Sequence, residues 1–285
     1  MRTDLMLDAL EAGQSEEFAR SVESGHLSGV DSKEERFASG KIHIVNVRAE
    51  DAAKRLGKPK GTYITIECAT MRSPKNDESP ADLVETLMNQ LQQMIESLGI
   101  KEDQSILIVG LGNRNVTPDA LGPAVIERIL VTGHFFQQFP QWVKPGTRKL
   151  FAIAPGVLGT TGMETADIIQ GIVREQKPDA IVVIDALATS SLQRLHTSIQ
   201  MTDQGIRPGS GIANHRKAFD RATFGVPVIS IGIPTVVYAS SIIREVDEDI
   251  LLTPKTTDQL IEQGAEWIAE AINRTLHRSL EGTAS

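Results

Sequence analysis

Two aspartates stand immediately after strongly apolar stretches of the chain. Asp185 ends the run "AIVVID" (180–185), and Asp119 follows "SILIVG" (105–110) through the short loop "LGNRNVTP". Such runs are typical of strands buried on both faces of a sheet, and the carboxyl ends of neighbouring parallel strands meet at one edge. We therefore expect both carboxylates in one crevice, where repulsion and desolvation raise one pKa and provide an acid and a base for water attack on an amide.

Each aspartate also has a purely structural interpretation. Thr117, Pro118 and Asp119 form a good helix start, with Thr as N-cap, Pro at the first helical position and an acid favoured by the helix dipole. Asp185 at a strand end could merely cap the following turn. Spacing alone leaves both interpretations open.

Two glycine-containing loops lie where backbone N–H groups could stabilise an oxyanion. The first, "GLGNRN" (110–115), contains Gly112 and Asn113, and the second, "APGVLGTTGMET" (154–165), contains Gly156 and Gly159. The first loop lacks both the third glycine of a dinucleotide-binding turn and the Lys-Ser/Thr of a P-loop. We therefore expect no bound cofactor.

Other common catalytic groups lack their usual sequence context. Ser210 lies in "RPGSG" without a G-x-S-x-G elbow, and no H-E-x-x-H zinc motif occurs. Of six scattered histidines, only His196 and His215 lie near the proposed crevice loops. The single cysteine, Cys68, lies in a strand-like segment typical of a buried, inert thiol. These patterns favour neither serine, zinc nor cysteine chemistry.

The elements that must position the two acids alternate along the chain. From residue 105 onwards, strand-like and helix-like segments follow one another, which predicts βαβ crossovers and a mostly parallel central sheet with helices on both faces, a hydrolase-like or phosphorylase-like α/β fold. Segments 41–47 and 61–68 predict a hairpin, and 79–99 predicts an amphipathic helix. We interpret residues 1–40 as a loosely ordered N-terminal arm and 41–285 as a single α/β domain.

Composition limits the classes of ligand and compartment. The 285 residues carry a net charge of −8, which argues against nucleic acid as the main ligand, because phosphate backbones are bound by surplus Lys and Arg. One cysteine excludes an intramolecular disulfide, and no apolar segment is long enough to span a membrane. We expect a reduced, cytoplasmic compartment and no membrane or nucleic-acid partner.

Five long motifs resemble those of the germination protease family of spore-forming bacteria. They are "VGLGNRNVTPDALGP", "AIAPGVLGTTGMETADII", "IVVIDALATSSLQR", "IQMTDQGIRPGSGIANHRKAF" and "GVPVISIGIPTVV", in this order along the chain. The resemblance runs from about residue 41 to the last helices. It implies an endopeptidase that degrades small acid-soluble spore proteins in the spore core by cleaving after Glu.

The resemblance implies further properties. By motif match, the essential acids of an atypical aspartic-type mechanism are Asp119 and Asp185, and Gly112, Asn113, Gly156, Gly159, Ser210 and Arg216 lie in loops that would contact substrate or oxyanion. It also implies a fold related to hydrogenase-maturation endopeptidases, a homotetramer, and synthesis as a zymogen. The family's mature start reads like "RTDL", which residues 2–5 already supply.

The sequence also departs from the family pattern in two loops. Arg114 stands where the family usually has Trp, and "ANHR" (213–216) stands where it usually has Gly-Asn-Lys-Arg. Two other interpretations stay open. The same fold could carry a metal held by the acids and a histidine, or the chain could be a spore protein that only binds basic or peptide partners.

Overall fold

The computed structural model describes residues 3–12, 29–72, 81–209, 216–243 and 250–277. The strands are Val30–Phe37 (β1), Gly40–Val47 (β2), Gly61–Glu67 (β3), Ile106–Gly110 (β4), Leu150–Ile153 (β5), Ala180–Thr189 (β6), Ser198–Thr202 (β7), Val228–Tyr238 (β8) and Leu251–Leu252 (β9). The helices are Met6–Ala12 (α1), Glu50–Leu56 (α2), Ala81–Ser97 (α3), Leu121–Ile126 (α4), Gly133–Gln138 (α5), Leu158–Thr161 (α6), Thr165–Gln176 (α7), Arg221–Phe224 (α8) and Thr257–Leu276 (α9).

The described strands form one sheet of nine in the order β1-β2-β3-β7-β8-β6-β4-β5, with β9 on β8. Only the neighbours β5-β4, β4-β6 and β6-β8 are parallel. The remaining pairs, β1-β2, β2-β3, β3-β7, β7-β8 and β8-β9, are antiparallel. The prediction of a mostly parallel sheet is therefore wrong, because the alternation of strands and helices describes one half of the sheet and not the half built around β7.

Helices cover both faces of the parallel half, as predicted. Ile106 and Ile108 of β4 belong to the same apolar cluster as α3 and α9, whereas Leu107 and Val109 belong to the cluster of α7 and α8. Alternate side chains of one strand thus enter two cores, which explains why its sequence is apolar throughout. The implied relationship to hydrogenase-maturation endopeptidases stays a prediction.

The first 40 residues contain regular structure where little was expected. Leu5 and Met6, at the start of α1, are fully buried, and β1 is the antiparallel edge neighbour of β2. The strands predicted at 41–47 and 61–68 do pair, but α2 lies between them, so they do not form a tight hairpin. The division of the chain at residue 40 stays a prediction.

The sheet topology decides where a site can lie. β4 ends at Gly110 opposite Ile184, whereas its neighbour β6 continues to Thr189. The polypeptide after β4 turns back over this end of the sheet and starts α4. The carboxyl ends of the parallel strands therefore form an edge with a step in it, and Asp185 is the first residue of β6 beyond the step.

Candidate active site

Asp185 lies within β6, opposite Gly232 of β8, and only 6% of its surface is exposed. Its Oδ1 accepts a hydrogen bond of 3.0 Å from the backbone N–H of Ala186. Burial raises the pKa of this carboxyl well above its ordinary value, and the negative charges of Asp119 and Asp4 raise it further, against the Ala186 N–H and the charge of Arg216. A proton is therefore held on Asp185 at pH values where an ordinary aspartate is ionised.

Asp119 ends the 3-10 turn Thr117–Asp119, which connects the loop after β4 to α4. The backbone N–H of Asn113 donates to two oxygens of Asp119, the carboxylate Oδ2 at 2.8 Å and the backbone carbonyl oxygen at 3.0 Å. Burial raises the pKa of Asp119, and the Asn113 N–H and the charge of Arg216 oppose this rise. Asp119 does precede α4, but the N-cap of its turn is Val116 and no side chain caps it, so the prediction of Thr117 as N-cap is wrong. The role of Asp119 in a catalytic site stays a prediction.

Gly112 allows this turn to close. Its φ of +109° lies in the region that favours glycine, and a Cβ here would lie 2.0 Å from the carbonyl oxygen of Asp119. No other residue type fits between the loop and the turn without moving Asp119.

Thr235 of β8 supports the same turn from the opposite side. Its hydroxyl donates to the carbonyl oxygen of Pro118 at 2.7 Å, and the side chain is 1% exposed. Its own carbonyl accepts from Thr253, whose hydroxyl contacts that of Thr257 at the start of α9. Asp119 is thus fixed between β4, β8 and α9.

A cavity of about 400 Å³ has both aspartates in its wall. Its polar lining includes Asp4, Glu164 and Arg216, and its apolar lining includes Val116, Val157, Pro208, Phe219 and Leu251. A second, more open cavity of about 810 Å³ shares Asp4 and Leu187 with the first. An acid with a raised pKa can donate a proton to the substrate, and a second carboxylate beside it can accept a proton from water.

The other residues predicted for the site have different positions. Gly156 and Arg216 line the same cavity, whereas Gly159 lies in the exposed short helix α6 and does not. The Asn113 N–H is engaged by Asp119, so a role as oxyanion donor would require this bond to open. Ser210 lies outside the described residues.

The two histidines singled out from the sequence do not complete a metal site in the described chain. His196 is buried away from the cavity, with Nε2 3.3 Å from the Thr257 hydroxyl, and burial lowers its pKa to about 4. His215 falls outside the described residues. Within the ranges given above, no three His, Cys, Asp or Glu side chains are arranged to hold a metal ion.

Comparison with known proteins gives the chain a family. The model of a family described as germination protease matches residues 6–251, a range that includes both aspartates and Arg216. The chain belongs to the germination protease family. It is therefore a peptidase, and the resemblance seen in the sequence motifs is confirmed.

Individual members of the germination protease family align over most of this chain. The germination protease of Geobacillus sp. (strain WCH70) is 44% identical over 252 residues, which cover 88% of this chain and 67% of that protein. Those of Bacillus subtilis (strain 168) and Priestia megaterium (strain ATCC 12872 / QMB1551) are each 43% identical, with the same shares of both chains covered. The family assignment supports an endopeptidase of spore germination.

The sequence analysis missed several residues of the cavity wall, among them Asp4 and Thr235. Asp4 reaches it from the first residues of the chain, and Thr235 from the middle of an apolar strand. A hydroxyl in the run "VISIGIPTVVY" was a usable signal, because a polar group inside a buried strand needs a partner. Asp4 gave no comparable signal, because its place beside β6 is decided by tertiary contacts and not by its neighbours in sequence.

Proposed function

We propose that the chain is an endopeptidase in which Asp119 and Asp185 activate a water molecule for attack on a peptide bond. The observation that carries this proposal is the placement of the two carboxylates on one cavity, with the pKa of each raised by burial. Asp119 has the smaller rise and serves as the base toward water. Asp185 holds the proton and donates it to the substrate carbonyl oxygen or to the leaving amine.

The substrate proposed is a small acid-soluble spore protein, cleaved after Glu. Family membership supports this class, and the cation Arg216 in the wall of a mainly acidic cavity supports binding of an acidic side chain close to the pair. Arg207 lines the adjoining larger cavity, so a bound peptide can extend from one cavity into the other. The backbone of Gly112 and Gly156 borders the space where the developing oxyanion would lie.

The assembly and setting are also proposals. The family resemblance supports a homotetramer, formed from a zymogen and working in the cytoplasm of the spore core. Light scattering on the purified protein measures the first of these, and a monomer mass would contradict it.

The test of the mechanism is substitution of each acid by its isosteric amide. Asp119→Asn and Asp185→Asn should each reduce kcat/KM on a purified spore protein by roughly 10²–10⁴-fold, the usual contribution of a general acid or base. Mass spectrometry of the wild-type products should place the new carboxyl terminus on Glu. Circular dichroism controls for folding.

A matched control uses a third acid that lies at the other end of the parallel strands. Asp179 precedes β6 and accepts bonds of 2.8 Å from the backbone N–H and hydroxyl of Ser105. Asp179→Asn changes the same charge and should retain wild-type activity. Full activity in a folded Asp119→Asn or Asp185→Asn variant would remove that acid from the mechanism.

A further inference from the structure

Asp4 places a third carboxylate in the wall of the catalytic cavity. It is separated from Asp119 and Asp185 by more than a hundred residues of chain, yet all three line the same 400 Å³ space. Asp4 also lines the 810 Å³ cavity and so stands in the wall between the two. A charge at this boundary acts on whatever is bound or ionised on either side.

The backbone of Asp4 occupies the edge of β6 that β4 leaves free. β4 ends opposite Ile184, and four residues further along β6 the N–H of Asp4 donates to the carbonyl of Ala188 at 3.0 Å. In return, the N–H of Ala188 donates to Oδ2 of Asp4 at 2.8 Å. The carboxylate of Asp4 is therefore tied to the same strand that carries Asp185, three residues away.

Two further side chains fix this residue from the other side. Lys58 Nζ and Gln200 Nε2 each donate to the carbonyl oxygen of Asp4 at 2.9 Å. The Gln200 side chain also accepts from the backbone N–H of Met6 at 2.6 Å. These bonds leave Asp4 little freedom to withdraw from the cavity.

Residues 3–11, here called the N-terminal segment, are anchored by a second acid, which is buried. Asp8 is fully buried and accepts hydrogen bonds from the hydroxyls of Thr3 and Thr189 and from the backbone N–H of Ser190, each at 2.7 Å. Arg194 donates to its other oxygen at 2.7 Å. Because Thr189 ends β6 and Ser190 follows it, Asp8 fixes the N-terminal segment to the strand that carries Asp185.

We propose that Asp4 is a positioning residue of the catalytic pair, whose negative charge keeps Asp185 in its protonated, proton-donating form and so leaves Asp119 as the base. This inference rests on the two-aspartate mechanism proposed above. The groups whose charges act on Asp185 are Asp4, Asp119 and Arg216, and Lys58 lies against Asp4. The pKa of Asp119 is governed by burial, the Asn113 N–H and Arg216, so we expect Asp4 to act chiefly on Asp185.

The test is the pH profile of kcat/KM for wild type and Asp4→Asn on the same spore-protein substrate. In this mechanism the acidic limb reports ionisation of Asp119 and the alkaline limb reports loss of the proton from Asp185. Removing the charge of Asp4 lowers the pKa of Asp185, so the alkaline limb should move to lower pH by roughly half a unit to one unit. The acidic limb should stay in place. Asn keeps an oxygen for the Ala188 N–H.

Controls separate charge from structure and from the parent mechanism. Asp179→Asn should leave both limbs unmoved, and Asp4→Glu, which restores the charge, should return the alkaline limb toward wild type. If Asp4→Asn does not fold, Asp4→Ser removes the charge and still offers an oxygen to Ala188.

The outcomes are distinct. A folded Asp4→Asn or Asp4→Ser enzyme with an unmoved alkaline limb, whether fully active or uniformly slower, overturns the role of Asp4, while the activity loss in Asp185→Asn still supports the pair. Full activity of Asp185→Asn instead overturns the pair, and with it the role of Asp4.

Discussion

The geometry of Asp119 depends on contacts made by its neighbours, not by its own side chain alone. Its turn is bounded on one side by Gly112, whose missing side chain admits the Asp119 carbonyl, and on the other by the Thr235 hydroxyl on Pro118. In both contacts the atom of the turn is a backbone carbonyl oxygen, that of Asp119 or that of Pro118. A substitution at either position therefore displaces the carboxylate without changing any titratable group.

Thr235→Val tests this positioning at the residue scale. The change is close to isosteric and removes one buried hydrogen bond, so we expect the free energy of unfolding to fall by about 1–2 kcal/mol. Because the Pro118 carbonyl then loses its donor and the turn can shift, kcat should fall several-fold with KM little changed. Urea unfolding and steady-state kinetics measure the two effects.

A matched control exists at the opposite end of the parallel strands. Thr132 is equally buried, and its hydroxyl donates to the carbonyl of Arg148 and accepts from the N–H of Leu150. Thr132→Val removes two hydrogen bonds, so it should cost at least as much stability as Thr235→Val and leave kcat unchanged. Equal loss of kcat in both variants would show that Thr235 acts only through global stability.

At the residue scale, a catalytic candidate can be predicted from the sequence when the residues next to it in the chain also surround it in the fold. Asp185 follows five buried residues of its own strand, and Asp119 follows the loop after the adjacent strand, so both positions can be predicted from the sequence. Asp4 and Arg216 reach the same cavity through tertiary contacts. Spacing along the chain carries no information about such contacts.

At the scale of elements, the short N-terminal segment stabilises the fold through the buried carboxylate of Asp8. Burial alone would raise the pKa of Asp8, but its hydrogen bonds from Thr3, Thr189, Ser190 and Arg194 outweigh burial, so its pKa in the fold lies below the ordinary value. Such a group stabilises the fold above its unfolded-state pKa. The contribution is lost as the pH falls through the folded-state pKa.

Asp8→Asn should therefore destabilise the protein at neutral pH and progressively less in acid. We expect a loss of about 2–4 kcal/mol in the free energy of unfolding, because the buried charge of Arg194 loses its most buried partner and keeps only Glu11 and Glu67. Hydrogen exchange should accelerate in residues 3–11 before the rest of the sheet. Chemical denaturation at several pH values, with exchange measured by mass spectrometry, provides both readouts.

The control for this element is an ion pair at the surface. Asp167 contacts Lys217 at 2.6 Å with both side chains more than half exposed, and exposed pairs contribute roughly 0–1 kcal/mol. Asp167→Asn should change stability by no more than that. A stability loss in Asp8→Asn that is equally large at every pH would contradict an ionised Asp8 as the anchor.

Strand existence was predictable here, but strand partners were not. The segment "TSIQM" (197–201) correctly predicts a strand, yet the strand it forms, β7, lies between β3 and β8 and is antiparallel to both. β1, "VDSKEERF", has an exposed edge pattern with almost no apolar alternation, so nothing in its sequence distinguishes it from a loop. Long-range pairing is decided by the assembled sheet and not by the local pattern.

On the scale of the whole molecule, nine strands bring an acid from each of three distant chain segments to one edge. Asp4, Asp119 and Asp185 line one cavity together with Glu164, and Arg216 in the same wall is the cation whose charge opposes the rise in pKa of Asp185. In the described part of the chain, no helix is long and apolar enough to cross a membrane. The sheet edge is the feature that turns three separated acids into one electrostatic unit.

This electrostatic unit has a definite effect on stability. Raised pKa values mean that the folded protein binds more protons than the unfolded chain between the ordinary aspartate pKa and the folded-state values. The free energy of unfolding contributed by the pair is then present at low pH and lost as the pH rises through the folded-state pKa values. The site therefore destabilises the fold at neutral pH, in the opposite sense to Asp8.

The most direct test is a titration of the Asp119 and Asp185 carboxyl carbons by NMR, in wild type and in each single Asn variant. In wild type, one carboxyl should remain protonated well above the pH at which an ordinary aspartate ionises, and in Asp119→Asn the midpoint of Asp185 should fall because a neighbouring charge is gone. Two independent midpoints near the ordinary value, unmoved by substitution of the partner, would contradict a coupled pair with the proton on Asp185 and the mechanism built on it.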